Sequence, residues 1–458
     1  MITLRPYQDE TFSEASRQLS KKKNPLVVLP TGGGKTVIFS YVSQLIARKG
    51  NKALILVDSE ELLKQTLRTL QQFGINAQGL KAGYKSINHK ASVYVGMILT
   101  LRKRPLLKVQ LVIADEAHIS TFDPYLLRYK ENKVPYMGFT ATPWRLSKKK
   151  PLKDIYNCIV HEIDTPELIE QGFLCPADYY GFNEASLSAT KGGDFEEKAN
   201  IDYVGQCGSA LDNYKKFADN STAVVYCVNV EHTKEVFITF LEAGYNVTMI
   251  HSKMHKAQSN QNVIDFKAGK FDIMVNCGIL TKGFDYSAVN CIIMYRATKS
   301  LALWIQIAGR GGRIKDGKES FKVIDLGGNI ARHGFWHMAQ EWTIEQKKYK
   351  EGCAPVKECP ECLRILHASV MLCKCGYQYP KPKKKVIDAE IERILPIDEE
   401  SFKEIEILDN YRKKKDFKQG WLIRQIHIKG GDELLAKWIK LKGYSPSYRK
   451  TIKKIYNI

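Results

Sequence analysis

Short, wholly apolar runs alternate with longer stretches of helical spacing along most of the chain. Residues 26–29 form the first run; Val37, Ile38, Tyr41, Val42, Leu45 and Ile46 then recur at helical spacing until Lys49-Gly50 ends the pattern. Runs at 53–57, 93–101 and 110–114, and one ending in Gly138-Phe139-Thr140, predict further buried strands. A second series follows at 223–228, 246–250, 271–276, 290–295 and 321–325, with helical stretches such as 232–243 between its members. Strands that are apolar on both faces and alternate with helices belong to parallel sheets covered on both sides. The predicted fold class is therefore α/β, with two such parallel-sheet domains in tandem. Between the two series, residues 178–205 lose periodicity and read as a connector, with a turn at 192–196.

The link from the first run to its helix is Leu29-Pro30-Thr31-Gly32-Gly33-Gly34-Lys35-Thr36. Strand, glycine turn and helix start together make a phosphate cradle. The glycines let backbone N–H groups approach phosphate oxygens, and the helix N-terminus adds its partial positive charge. Lys35 then reaches the terminal phosphates, and Thr36 offers its hydroxyl to Mg2+. Leu29 stands where such loops usually carry their first glycine. Upstream, Gln8 has a donor and an acceptor to offer an adenine edge, and Arg5 a flat guanidinium to stack on the base. A plain N-terminal turn is the alternative for that pentapeptide.

The run at 110–114 delivers Asp115-Glu116-Ala117-His118 to a strand's C-terminal end, where open α/β sheets hold ligands. Adjacent carboxylates there suit two tasks, Asp115 holding Mg2+ and Glu116 polarising an attacking water. The hydroxyls of Thr140 and Thr142, after the next strand, are placed to exchange partners as phosphate leaves. The second series has no phosphate loop; it has Thr281-Lys282-Gly283-Phe284-Asp285 and Gln306-Ile307-Ala308-Gly309-Arg310-Gly311-Gly312-Arg313. On the start of a helix, Gln306, Arg310 and Arg313 would share a face. The two arginines would then reach a γ-phosphate held by the first domain. An arginine supplied across a cleft accelerates phosphoryl transfer by about a thousand- to a hundred-thousandfold and makes it depend on closure.

Taken in order, Arg5-x-Tyr7-Gln8, Gly34-Lys35-Thr36, Asp115-Glu116-Ala117-His118 and Thr140-Ala141-Thr142 resemble the motifs of a superfamily 2 helicase with a DEAH box. The group is the one that includes restriction-type translocase subunits, XPB-type repair helicases and phage-encoded branched-DNA helicases. The likeness spans roughly residues 1–345. It implies two RecA-like domains with ATP and Mg2+ between them and single-stranded nucleic acid across the opposite surface. Gln306, Gly309, Arg310 and Arg313 resemble the family's last motif, and Gly283 and Asp285 the one before it. The resemblance also places Thr100 and Thr281 on the nucleic acid and makes His118, Thr140 and Thr142 coupling residues. It implies travel from 3′ to 5′ and work on DNA forks or junctions in replication, recombination or repair. An RNA helicase, a duplex translocase that does not unwind, and a zinc-containing binding protein with a silent ATPase remain the rival readings.

Length and charge extend this picture. At 458 residues the chain has room for about three domains. Its formal charge of +21 points to a polyanionic partner. From residue 411 to the end there are 14 Lys and Arg against 3 Asp and Glu, so about half the net charge sits there. Tyr411, Phe417, Trp421, Trp438, Tyr444 and Tyr448 are interleaved with those cations. The expectation is a small helical core around the tryptophans and a DNA surface made by the lysines. Of eleven cysteines, six are scattered and five crowd between Cys353 and Cys375. Cys359, Cys362, Cys373 and Cys375 fit a structural Zn2+ site, with Cys353 as an alternative ligand. The expected organisation is 1–172 and 173–345 for the two cores, 346–385 for a zinc module and 386–458 for a basic, mainly helical module. The Met1-Ile2-Thr3-Leu4-Arg5 opening has no apolar signal region and no long apolar run follows, so a cytoplasmic protein is expected; a monomer is the expected state.

Overall fold

A computed structural model describes residues 2–84, 86–145, 150–181, 187, 190–191, 194–280, 285–345, 355–380, 399–415, 417–442 and 452–454. Thr281, Gly283, Cys353, Tyr444 and Tyr448 lie outside the described residues. The chain divides into two compact units, 1–380 and 381–458.

The first unit holds two parallel sheets. After α1 (Pro6–Ser20) come β1 (Pro25–Val28), α2 (Lys35–Arg48), β2 (Ala53–Val57), α3 (Glu60–Gln72), β3 (Ala77–Leu80), β4 (Val93–Met97), α4 (Ile98–Leu101), β5 (Leu111–Asp115), α5 (Asp123–Glu131), β6 (Tyr136–Thr140), β7 (Cys158–Val160) and α6 (Thr165–Glu170). The strands lie in the order β3-β4-β2-β5-β6-β1-β7. Every residue of β1, β2, β5 and β6 is buried, as helices on both faces require. Register decides what meets at the sheet's C-terminal edge. Val28 pairs with Thr140 and Asp115 with Phe139, so the ends of β1, β6 and β5 lie side by side.

The second sheet has the order β12-β13-β11-β14-β15-β8. It comprises β8 (Ala177–Gly181), β11 (Ala223–Cys227), β12 (Val247–Ile250), β13 (Ile273–Asn276), β14 (Cys291–Tyr295) and β15 (Phe321–Asp325). A short hairpin, β9 (Thr190–Lys191) and β10 (Asp194–Phe195), precedes α7 (Glu197–Gln206) and α8 (Ala210–Ala218). The later helices are α9 (Val230–Glu242), α10 (Lys256–Lys267), α11 (Leu301–Ala308) and α12 (Asn329–His333).

Three local expectations are corrected. Residues 178–205 are not only a connector: β8 is an edge strand paired along its length with β15, and α7 follows. Asp178 and the two tyrosines of β8 hide an edge strand from a search for unbroken apolar runs. The strand expected over 93–101 stops at Met97, because the chain turns into α4 and Leu101 packs over the bare Cα of Gly96. The helix carrying Gln306 ends at Ala308. Gly309, Gly311 and Gly312 follow, and the N–H groups of residues 310–312 bond three residues back, so Arg310 and Arg313 ride on tight turns instead of a helix start.

The cysteine-rich segment forms an antiparallel pair, β16 (Val356–Glu358) and β17 (Ile365–His367). Ile365 is buried, and Arg364 and Lys374 each lie 3.5 Å from the Asp178 carboxylate on β8. In the second unit, α13 (Glu399–Lys414) packs on α14 (Gln419–Leu441), which bends at Gly430-Gly431. Ile405, Leu422, Ile426, Leu435 and Trp438 form its core, with Trp421 at the rim. No helix among the described residues is long and apolar enough to cross a membrane.

Candidate active site between two sheets

A cleft of about 460 Å3 runs between the two sheets of the first unit. Its walls bring Thr31, Gly32, Gly34, Lys35, Thr36, Asp115 and Glu116 of the first lobe together with Asp285, Gln306, Arg310 and Arg313 of the second. Each side comes from strand ends and the turns after them. Gly32 and Gly34 have φ of +87° and +84°, a conformation that exposes the loop's N–H groups and that glycine adopts without strain. A Cβ on Gly32 would sit 2.8 Å from Leu174 and 4.0 Å from the Arg313 side chain; one on Gly309 would sit 3.0 Å from Thr31 Cβ. The phosphate loop and the arginine turn therefore approach each other closely at bare glycine backbone, with no room for a side chain on Gly32 or Gly309.

Opposite charges face each other across this gap. The Lys35 ammonium donates to the Leu29 carbonyl at 3.3 Å. Burial lowers its pKa, against the pull of Glu116 and Asp115. Burial and the neighbouring Glu116 push the Asp115 carboxyl up to about 7. Glu116 is held in the left-handed region, φ +52°, with its N–H on Asp115 Oδ1 at 3.0 Å. A non-glycine residue in that region is strained, and strain of this kind collects at functional sites. Glu116 Oε2 and Arg313 Nη1 are buried without a hydrogen bond among the described residues, although Arg313 Nε holds Asp285 at 2.7 Å. Lys35, Arg310 and Arg313 with Asp115 and Glu116, and orphaned polar atoms, all facing one cleft, fit a polyphosphate carrying a divalent cation. Thr36 and Asp115 are the residues that would hold that cation.

A polar chain links Glu116 to the second lobe. Glu116 Oε2 is 3.5 Å from His118 Nδ1, which lies 2.9 Å from Thr140 Oγ1. The Thr140 hydroxyl donates to the Thr142 carbonyl and accepts from its N–H, both at 3.1 Å. Thr142 Oγ1 accepts from Gln306 Nε2 at 3.3 Å. A second inter-lobe tie is the ion pair of Lys256 and Glu60 at 2.6 Å.

Arg5 and Gln8 are placed less simply than their sequence suggested. The Arg5 guanidinium lies 4.3 Å from the centre of the Phe173 ring, and both line the cleft. The Gln8 amide accepts from Arg5 N–H at 3.0 Å and donates to the Gly33 carbonyl at 3.3 Å. In this conformation Gln8 braces the phosphate loop. Thr100 sits on α4, outside the residues lining the cleft. Phe173 and Lys318 were missed by sequence reasoning. The Lys318 ammonium donates to the carbonyls of Gly311 and Val289 at 2.6 Å and of Ser287 at 3.3 Å. It ties the arginine turn to the segment after Asp285; nothing in a lone lysine between charged neighbours signals this.

The four cysteines also converge. The sulfurs of Cys359, Cys362, Cys373 and Cys375 all lie within 4.8 Å of one another, with Cys359–Cys375 and Cys362–Cys373 at 3.6 Å. Tetrahedral Zn–S bonds of about 2.3 Å would set neighbouring sulfurs about 3.8 Å apart.

Comparison with known proteins agrees with this geometry. Residues 1–145 match the family described as Type III restriction enzyme, res subunit, and residues 208–315 match the helicase conserved C-terminal domain. These two domains are those of a superfamily 2 helicase of restriction-subunit type. The chain is an ATP-hydrolysing helicase by its domains and relatives. A 51.5 kDa protein of a Lactococcus phage is 28% identical over 88% of this chain and 89% of its own. IRC3 of Saccharomyces cerevisiae, named as an ATP-dependent helicase, is 30% identical over 70% of this chain. The helicase spans only 51% of that yeast protein's length. An HsdR-type fragment of a type I restriction enzyme from Vibrio vulnificus shares the fold, with a TM-score of 0.56 at 22% identity, over 72% of this chain and 67% of that one.

Proposed function

We propose that this helicase is a DNA motor that works on forked or branched DNA in replication, recombination or repair, moving 3′ to 5′ along one strand. The observation that carries the reading is the single cleft in which Lys35, Asp115 and Glu116 face Arg310 and Arg313. In this proposal Lys35 and the loop N–H groups hold the ATP phosphates. Thr36 and Asp115 hold Mg2+, which screens the phosphate charge when bound. Glu116 orients the attacking water, and the two arginines stabilise charge on the departing phosphoryl group. Binding ATP closes the cleft, hydrolysis reopens it, and alternating grip on nucleic acid turns that cycle into movement. The four thiolates hold Zn2+ in a structural role, since a four-sulfur site leaves no position for water. The basic second unit adds affinity for DNA.

The match to a restriction-enzyme subunit favours one alternative, translocation along duplex without unwinding. Strand displacement on duplex, fork and four-way-junction DNA, with ATP and with a non-hydrolysable analogue, tests both. Displacement of forks or junctions only with ATP supports the proposal. ATP turnover with no displacement on any substrate supports the translocase. Stimulation by RNA but not DNA would overturn both.

A further inference from the structure

Where α13 meets α14, Tyr411, Phe417 and Trp421 cluster at the edge of the helical core, with Trp421 packed against that core and the other two rings exposed. Tyr411 and Trp421 stack at 5.7 Å with an interplanar angle of 29°, and Phe417 lies 4.9 Å from Trp421. Tyr411 is 49% exposed and Phe417 38%, whereas Trp438, inside the core, is 1% exposed. The rings are held in place from behind. Arg412 pairs with Asp409 at 2.7 Å and donates to the Phe417 carbonyl at 3.2 Å, while Phe417 N–H returns to the Arg412 carbonyl at 3.0 Å. From residue 412 to 418 the sequence supplies Arg412, Lys413, Lys414, Lys415 and Lys418 against Asp416, and Asp409 on α13 lies 3.2 Å from the Lys413 ammonium as well as pairing with Arg412.

We infer that Tyr411, Phe417 and Trp421 form a stacking platform for the unpaired bases of single-stranded nucleic acid, with the flanking lysines on its phosphates. This deepens the reading of the second unit as a nucleic-acid surface and rests on it. A patch that combines fixed aromatic faces with cations has two ligand requirements: flat π-surfaces and a polyanionic backbone. Only a single strand offers both, because duplex bases present their edges and keep their faces stacked on one another. The platform is prebuilt, so binding loses little side-chain freedom.

The test uses the full chain and two labelled 20-mers, oligo-dT and a fully abasic strand with the same backbone. Wild type should bind oligo-dT more tightly by about tenfold, the effect of roughly one stacked base. The double variant Tyr411→Leu/Phe417→Leu keeps apolar cover over Trp421, and an unchanged melting curve verifies its fold. It should lose most of that preference while keeping the same salt dependence. Lys413→Gln/Lys414→Gln/Lys415→Gln should instead weaken both strands and flatten the salt slope. An undiminished oligo-dT preference in the leucine variant overturns the platform even if the lysine variant responds. No response from either variant overturns the nucleic-acid reading of the unit as well.

Discussion

The Gln306 side chain of the second lobe donates a hydrogen bond to the Thr142 hydroxyl of the first, 3.3 Å away, at the end of a chain that begins at Glu116. Its far end is buried, with no exposure at Thr140 and Thr142 and 7% at Gln306, while Glu116 and His118 are half-buried. A contact made there is sensitive to any shift between lobes, and it reaches the carboxylate assigned to the water through two side chains and one strand end. Gln306→Ala and Thr142→Val should each lower nucleic-acid-stimulated ATP turnover by about tenfold with smaller effects on basal turnover. The double variant should lose little more than either single one, as members of one network do. Additive losses in the stimulated rate would show that the two side chains act separately.

Lys318 makes a second prediction. Burial lowers its pKa to about 8, so at neutral pH it still carries the proton that its three carbonyl partners require. Lys318→Met strands those carbonyls at a cost of roughly 1–3 kcal/mol and frees the arginine turn. Turnover should fall about tenfold with the KM for ATP nearly unchanged, and Lys318→Arg should restore part of it. A raised KM at constant turnover would mean that Lys318 shapes binding and not the position of the arginines.

The architecture was legible wherever one residue type does one job. Fully buried strands announced both sheets, and the Gly34-Lys35-Thr36 and Asp115-Glu116 pairs announced the cleft, because phosphate chemistry fixes residue type and order together. What escaped depended on pairing across long separations. β8 is recognisable only beside β15, and the Gly309-to-Gly312 turn only once Thr31 and Trp336 are seen against it. The Gln8 amide, expected to face a base, engages the loop it precedes, a contact the sequence did not suggest. Local pattern could not show which partner a polar side chain would choose.

Acid should weaken the second lobe. His232 and His337 are each pushed down to about 4, in both cases chiefly by burial. His232 Nδ1 lies 3.3 Å from the Val228 N–H, and His337 Nδ1 lies 2.7 Å from the Tyr179 hydroxyl. Below the ordinary histidine value of 6.5, the unfolded chain binds protons that the folded one refuses. Stability is therefore full above that pH and is lost as pH falls towards 4, by up to about 1.4 kcal/mol per pH unit for each ring. His232→Gln should reduce the slope of unfolding free energy against pH between 6 and 4.5; an unchanged slope would mean the ring titrates normally.

The cysteine cluster predicts one equivalent of zinc per chain. Cys362→Ser should lower that content and destabilise β16 and β17 together with their contacts to Asp178 on β8, because metal binding and folding of so small a module are one event. Elemental analysis of the untreated protein decides it, and less than about a tenth of an equivalent would contradict the four-thiolate site of this geometry.

The account depends above all on phosphate chemistry completed by a residue from the opposite lobe. Turnover at saturating ATP and single-stranded DNA, measured for Arg313→Ala beside a direct titration with a non-hydrolysable ATP analogue, tests it most directly. The predicted result is a fall in stimulated turnover of about a thousandfold or more with analogue affinity within a few fold of wild type. Stimulated turnover that survives the substitution would contradict it.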